Sequence, residues 1–193
     1  MKKNFAFIAI ASLLIVFIGC SQPSDSKTSS NEVLSKLLIG KEIAMATKAE
    51  LGKNLLNAIH TKGTAGAVDF CNTRAIPLTD SMAIVKNAKV SRLSDQPRNP
   101  NNIATESFLT QIKTFKAQLS ADKELKGNTI EHEGKNYQCY PIVTNGMCIQ
   151  CHGKKGTDIA PETLKVIEEK YPNDQATGYT ENQLRGIWVI EMD

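Results

Sequence analysis

The 193-residue sequence predicts an α+β domain, with a small antiparallel sheet flanked by helices and a long helix at its N-terminal end. Two observations carry this prediction. Apolar residues recur at helical spacing through the first half of the chain, whereas the second half mixes short alternating strand patterns with one short helix. No internal repeat is evident, and a stretch of about 160 residues suits one domain with its own core.

Residues 1–19 resemble an export signal, since a pair of lysines precedes an apolar run that ends at Gly19-Cys20. A small residue followed by cysteine is typical of a bacterial lipoprotein cleavage site, so Cys20 is the candidate lipid-bearing residue. An ordinary cleaved signal and an uncleaved N-terminal anchor are the alternatives. We expect the protein in the bacterial cell envelope, on the periplasmic side, attached to the membrane by lipid.

Residues 20–30 are polar and lack apolar periodicity, which predicts a flexible tether before a domain spanning 31–193. The formal net charge is +3 and falls to +1 when the two lysines of the leader are removed, because the leader holds no acid. The basic residues of the domain are scattered, so the sequence does not predict nucleic-acid binding.

The first predicted helix begins at the capping-box pair Ser29 and Glu32 and ends at Gly63. A second helix is predicted to begin near Ala65. Pro77 is expected to break or kink it, with the pattern resuming beyond.

The later elements follow from strand alternation, turn residues and helix starts. They are a strand over 89–93, a loop over 96–102, a helix after Thr105, a hairpin with strands 128–133 and 136–143, a helix over 161–170 and a closing strand over 184–192. Two prolines and three asparagines deny regular structure to the loop. Ile187 and Val189 alternate with Trp188 and Ile190, so the closing strand is expected to have two apolar faces.

The run Cys148-Ile149-Gln150-Cys151-His152 is the attachment sequence of a c-type haem. Two thiols three residues apart on one helical turn bond the vinyl groups of one porphyrin, and the next histidine binds the iron. The sequence therefore predicts one covalently attached haem c, with Cys148 and Cys151 as its attachment points and His152 as the proximal iron ligand.

Two other chemistries share these residue types. Structural zinc sites usually bring a second pair of ligands at short spacing, and no second C-x-x-C or H-x-x-x-H pair occurs here. A thioredoxin-like dithiol sits at the start of a helix, whereas His152 and Gly153 follow Cys151 and make a poor helix start. Haem is the prediction, with zinc and a redox dithiol as alternatives.

Several motifs in order resemble a family of extracytoplasmic c-type haem domains of PAS-like fold, the Tll-type haem domains, often attached to bacterial signalling proteins. The motifs lie at 67–71 (AVDFC), 97–101 (PRNPN), 148–153 (CIQCHG), 171–179 (YPNDQATGY) and 184–186 (LRG). The resemblance implies a PAS-like core around one haem, with iron bound by His152 and, as in some members, by a helix cysteine, here Cys71.

Other distal ligands stay open. Methionine and histidine are commoner partners of iron in cytochromes c, and an open or water-bound position is a third possibility. The candidates of these two types are His60, His132, Met45, Met82 and Met147. Cys139 raises a further alternative, a Cys71–Cys139 disulfide that would keep the thiolate from iron, although a buried free thiol is the simpler interpretation.

Arginines are candidate partners for the haem propionates, because a guanidinium offers paired donors to a carboxylate. The candidates are Arg98, then Arg92 and Arg74. Each could equally be a solvated or loop-structuring arginine.

These features predict a membrane-anchored monohaem cytochrome that acts in electron transfer or redox sensing rather than as an enzyme. The sequence carries no kinase, cyclase or methyl-accepting segment, so a separate redox or signalling partner is expected. The alternative is a sensor of nitric oxide or carbon monoxide. A peroxidase is a weaker alternative, because no recognisable motif places a distal histidine with an arginine.

Overall fold

The computed structural model describes residues 25–192, with side chains from residue 30 onward. The predicted leader and Cys20 lie outside the described residues. Within those residues, no helix combines the length and the apolar character needed to cross a membrane.

Helix α1 spans Asp25–Lys86 and is interrupted once, at Gly63, whose φ of 69° and ψ of −179° are not helical. We call residues 25–62 the first arm of α1 and residues 64–86 its second arm. The predicted stop at Gly63 is therefore a break between two arms, and the second arm continues through Pro77 to Lys86. Pro77 is exposed, so water can bind the carbonyl that proline leaves without a donor.

The start of α1 differs from the prediction. The helix already includes residues 25–30, which the sequence assigned to the tether, so Ser29 is not its N-cap. The sequence offers no helix-breaking residue immediately before Ser29. The nearest one is Pro23, because residues 24–28 contain neither proline nor glycine.

The remaining elements follow the predicted order. They are β1 (Lys89–Leu93), a 3₁₀ turn (Pro100–Asn102), α2 (Glu106–Ser120), β2 (Asn128–His132), β3 (Lys135–Val143), α3 (Gly146–His152), α4 (Pro161–Lys170) and β4 (Leu184–Glu191). The 3₁₀ turn lies where the sequence predicted only loop, because the Asn99 side chain accepts a hydrogen bond from the Asn101 N–H and Pro100 starts the turn. The hairpin turn is centred on Glu133 and Gly134, one residue earlier than predicted, and both have positive φ.

The four strands form one antiparallel sheet in the order β1-β4-β3-β2. Ile187 and Val189 of β4 pack toward α2 with Phe115, while Trp188 and Ile190 pack on the other face against α1. The two apolar faces predicted for the closing strand are thus both buried. The predicted PAS-like α+β fold with a long N-terminal helix is confirmed.

A third apolar cluster joins the second arm of α1 to α4 through Val68, Ile167 and Tyr171. The hydroxyls of Thr64 and Thr163 form a short hydrogen bond between the same two helices. The second arm is therefore held by α4 and leaves a gap between itself, the sheet edge and α3.

Candidate haem site

The attachment sequence forms helix α3, a single short helix positioned by its two ends. Asn145 caps its start, and the Asn145 side-chain oxygen accepts a hydrogen bond of 3.2 Å from the Cys148 N–H. Gly153 ends it at a point where a Cβ atom would lie 2.6 Å from the Ile149 carbonyl oxygen. Cys148 and Cys151 consequently lie one turn apart on the same helix face, as one porphyrin requires.

His152 is held in one tautomer. Its Nδ1 lies 2.7 Å from the Ala176 carbonyl oxygen, which can only accept, so Nδ1 carries the proton. Burial, together with the charges of Arg98 and Arg185, lowers the pKa of His152 well below its usual value, while the bond to Ala176 partly opposes this. A lowered pKa favours the neutral imidazole, and with the proton on Nδ1 its Nε2 lone pair is available to a metal.

A cavity of about 220 Å³ adjoins α3. Both arms of α1, strands β1 and β4, the 3₁₀ turn, α3 and Tyr171 contribute to its lining. Its apolar lining consists of Leu55, Ile59, Ala67, Val68, Ala75, Ile76 and Met147. It also brings together the four side chains that the sequence assigned to haem and iron: Cys71, Cys148, Cys151 and His152.

Cys71 reaches this cavity from the second arm of α1. Its thiol is free, and burial raises its pKa, while the nearby charges of Arg92 and Arg98 act in the opposite direction. An anionic sulfur here would face two guanidinium groups. The two positive charges therefore favour the thiolate form of Cys71, which is the form that binds a metal ion.

Cys139 lies in a different part of the molecule. It is 0% exposed in the apolar cluster between β3 and α2, and burial raises its pKa to about 12. Its thiol is free, and it is absent from the cavity that Cys71 lines. The alternative Cys71–Cys139 disulfide is therefore not formed, and Cys139 is a packed thiol of the core.

The other ligand candidates are mostly elsewhere. Met147 lines the cavity, whereas His60 and Met45 are exposed and Met82 does not line it. His132 lies at the hairpin, where Nδ1 is 3.1 Å from the Ser107 hydroxyl and its ring packs against an aromatic side chain of α2. Among the methionines and histidines of residues 30–192, only Met147 and His152 therefore border the cavity.

The three candidate arginines have three different environments. Arg74 is exposed and does not line the cavity. Arg98 lines it but is paired with Asp174, through Nε and Nη2, at 3.2 and 3.1 Å. Arg92 lies 5.7 Å from the ring centroid of Trp188, and burial lowers its pKa; among residues 30–192 no carboxylate pairs with it.

A fourth arginine, Arg185, was not among the predicted site residues. It lines the cavity, and its Nη1 donates to the Ser94 hydroxyl at 2.8 Å and to the Gln96 carbonyl at 3.1 Å. Its Nε is buried without a hydrogen-bond partner. Its place in the motif 184–186 was the only signal in the sequence, and that motif does not reveal which cavity the side chain borders.

Beyond this cavity, the described residues form a second cleft but no group of metal ligands. A larger cleft of about 410 Å³ lies beside α2 and is lined by polar and apolar side chains such as Lys116, Leu119 and Tyr179, but by no cysteine or histidine. Within residues 25–192, no group of three or more Cys, His, Asp or Glu side chains is placed to hold a metal ion, as a structural zinc site would need.

Comparisons with known proteins concern the family and the fold. The profile of the Tll0287-like family matches residues 26–192. The fold is similar to the crystal structure of the cyanobacterial haem protein Tll0287, with a TM-score of 0.57 and 20% sequence identity over 77% of this chain and 91% of that chain. No curated protein shows significant similarity to the sequence.

Proposed function

The chain belongs to the Tll0287-like family, and on that premise we propose that it is a monohaem c-type cytochrome that acts in electron transfer or redox sensing. One observation carries the proposal. Two thiols one helical turn apart, an imidazole with a free Nε2 and a third thiol from another helix line a single cavity. Haem c would supply one-electron chemistry at the iron.

The residues present fit such a group. Cys148 and Cys151 would form the two thioether bonds, and His152 would bind iron through Nε2. The apolar wall from both arms of α1 suits the porphyrin face. The two propionates of a haem would also explain why partly buried arginines line a cavity that is otherwise largely apolar.

We propose Cys71 as the second iron ligand. It is the only thiol of the cavity that thioether formation leaves free, and two guanidinium groups oppose its high pKa. A thiolate donates negative charge to the iron and stabilises the ferric state, so the expected haem has a low reduction potential.

Haem also carries two propionates, and Arg92 and Arg185 are the arginines we assign to them. Neither is paired with a carboxylate among residues 30–192, and Nε of Arg185 has no partner there. Arg98 is committed to Asp174 and Arg74 lies away from the cavity, so both fit the propionates less well.

The cellular setting is part of the proposal. Export through residues 1–19 and lipid attachment at Cys20 would place the domain in the periplasm of a bacterium, where c-type haem is attached. Its partner would be a redox or signalling protein. Mass spectrometry of the N-terminal peptide from membrane fractions tests this part, because an unmodified Cys20 in every mature chain would exclude the lipid anchor.

The haem proposal is tested by expressing the full chain in a host that matures cytochromes c. The purified protein should be coloured and should retain its pigment in acidic organic solvent, whereas the Cys148→Ser/Cys151→Ser variant should lose it. Cys139→Ser is the matched control, since that thiol lies outside the cavity. Colourless parent protein, or pigment extracted from it, would refute covalent haem.

The Cys71→Ala variant tests the second ligand. Its ferric absorption and EPR spectra should lose the thiolate signature of the parent, and Cys139→Ala should keep it. Carbon monoxide separates the functions: a ferrous spectrum that carbon monoxide does not change supports electron transfer, and one that it changes readily favours the gas-sensing alternative. Identical spectra of Cys71→Ala and the parent would exclude Cys71 as a ligand.

A further inference from the structure

Arg98 lies in the loop between β1 and the 3₁₀ turn and joins this loop to two other segments behind His152. Its Nη2 donates to the Cys151 carbonyl at 2.6 Å, to Asp174 Oδ2 at 3.1 Å and to the Ala176 carbonyl at 3.3 Å. The guanidinium thus contacts the last turn of α3 and the segment that follows α4.

The Arg98–Asp174 pair is buried and has two-point geometry. The two side chains are 11% and 4% exposed, and Arg98 Nε donates to the second carboxylate oxygen at 3.2 Å. Asp174 Oδ1 also accepts the Ala176 N–H at 2.9 Å. The pair therefore fixes the backbone of Ala176 at both of its polar groups, because Asp174 accepts from its N–H and Arg98 donates to its carbonyl.

The Ala176 carbonyl is the acceptor for His152. It accepts hydrogen bonds from His152 Nδ1–H, with Nδ1 2.7 Å from the oxygen, and from Arg98 Nη2–H at 3.3 Å, so one oxygen serves both groups. Two further backbone bonds, from the Tyr179 N–H to the His152 carbonyl and from the Gly178 N–H to the Gly153 carbonyl, fasten the same segment to the end of α3.

From these contacts we infer that Arg98 and Asp174 are positioning residues that set the orientation and the basicity of His152 toward iron, and that Arg98 is not a propionate ligand. The inference rests on the proposed function, because it concerns a histidine that binds haem iron. Acceptors on the second nitrogen of a metal-bound imidazole raise its basicity, and a cation sharing that acceptor weakens the effect.

The electrostatic sign follows from the pairing. Arg98→Gln would leave the Asp174 carboxylate unpaired and would free the Ala176 carbonyl for His152, and both changes stabilise ferric iron. Asp174→Asn would leave the guanidinium unpaired, which favours ferrous iron. The double variant keeps the net charge of the parent, so of these two changes only the freed Ala176 carbonyl remains, and its ratio should lie between those of the parent and Arg98→Gln.

The experiment measures the ferrous-to-ferric ratio of the holoprotein at a fixed solution reduction potential. Haem attachment and thermal unfolding are recorded for the same samples. We expect Arg98→Gln to lower the ratio about tenfold, which is 59 mV for a one-electron couple, and Asp174→Asn to raise it. The double variant and Arg98→Lys should stay within about threefold of the parent. Arg74→Gln, which alters an exposed arginine outside the cavity, is the matched control.

The outcomes separate this inference from the haem proposal. Absence of covalent haem in the parent refutes the proposed function. Haem in the parent, with single variants that shift the ratio in the same direction or leave it unchanged, refutes the positioning role of Arg98 and Asp174 alone. If the single variants fail to attach haem, the double variant and Arg98→Lys decide. A ratio in either that departs from the parent by more than about threefold contradicts the inference.

Discussion

Arg92 places a largely buried positive charge on the wall of the cavity, with the Trp188 ring beside it and no carboxylate partner among residues 30–192. A buried charge without a partner lowers the stability of the fold. When the charge is paired with a carboxylate, removing either member of the pair is strongly destabilising. The effect of removing it should therefore depend on whether a haem propionate is present.

We predict that Arg92→Gln has different effects on the two forms of the protein. In the haem-free background Cys148→Ser/Cys151→Ser, the free energy of unfolding should change by less than about 1 kcal/mol, since the lost contact with Trp188 offsets relief of the buried charge. In the holoprotein the loss should be about 3 kcal/mol. Denaturant titrations measure both, and equal losses in the two forms would contradict the assignment of Arg92 to a propionate.

Residue-level prediction from the sequence succeeded where chemistry is local. The spacing of Cys148, Cys151 and His152 alone placed them on one helix, and all three border the cavity. It could not rank the arginines, because the partners of Arg98 lie 53 to 78 residues away in the chain. The same reason hid Arg185, whose cavity is built by elements remote in sequence.

At the level of elements, the break in α1 decides where the cavity forms. Gly63 has φ 69° and ψ −179°, a backbone region that is essentially restricted to glycine. Residues on both sides of the break line the cavity, Leu55 and Ile59 on the first arm and Cys71 on the second. The direction of the second arm, and with it the position of Cys71, depends on this residue.

Gly63→Ala and Gly52→Ala form a matched pair for testing the break. An added Cβ meets nothing within 4 Å at either position, so crowding does not distinguish them. Gly52→Ala lies within a regular helix and should stabilise the protein by about 0.5–1 kcal/mol. Gly63→Ala should destabilise it by about 1–3 kcal/mol and reduce the thiolate signature of the haem. Thermal unfolding and EPR measure these effects, and a stabilised Gly63→Ala would show that the break is not required.

The sheet carries a pH-sensitive contact at its end. Glu191 Oε1 of β4 accepts hydrogen bonds from Lys135 of β3 at 2.7 Å and Lys89 of β1 at 3.0 Å, and these bonds lower the pKa of Glu191 to about 2. A lowered folded-state pKa means that the contact contributes fully above the unfolded value of about 4.3 and is lost as the pH falls toward about 2.

We therefore expect Glu191→Gln to lower the Tm at neutral pH by a small amount, because both lysines are largely exposed. The difference in Tm between parent and variant should shrink as the pH falls from about 4.3 to about 2 and vanish below that range. Calorimetry over this pH series measures it. A difference that grows with acidification would contradict the lowered pKa.

On the scale of the whole molecule, the two apolar faces of the sheet share no residue with the cavity lining, which the sheet reaches only through Arg92 and Arg185 among the residues described. One packs on α2 and the other on the first arm of α1, whereas the third cluster, with Val68 and Ile167, contacts Cys151 beside the cavity. Loss of haem should therefore affect one side of the protein and leave the sheet intact.

Hydrogen exchange on the Cys148→Ser/Cys151→Ser variant tests this division. Amides of β3 and β4 should keep the protection they have in the holoprotein, while those of the second arm of α1 and of α4 should exchange faster, on the order of tenfold. Because serine is close to cysteine in volume, altered side-chain packing should contribute little to any change in exchange rate. A uniform loss of protection would show that the haem site and the sheet form one cooperative unit.

The sequence by itself determined the attachment helix, the order of the elements and the two apolar faces of β4, because each depends on spacings of a few residues along the chain. Tertiary structure alone decided that Cys71 shares the cavity while Cys139 belongs to the core and that Arg98 holds the segment behind His152. It also decided that Arg92 and Arg185 have no carboxylate partner among residues 30–192. These outcomes depend on contacts between residues that are far apart in the sequence, and no local pattern encodes which of several chemically equivalent side chains will meet.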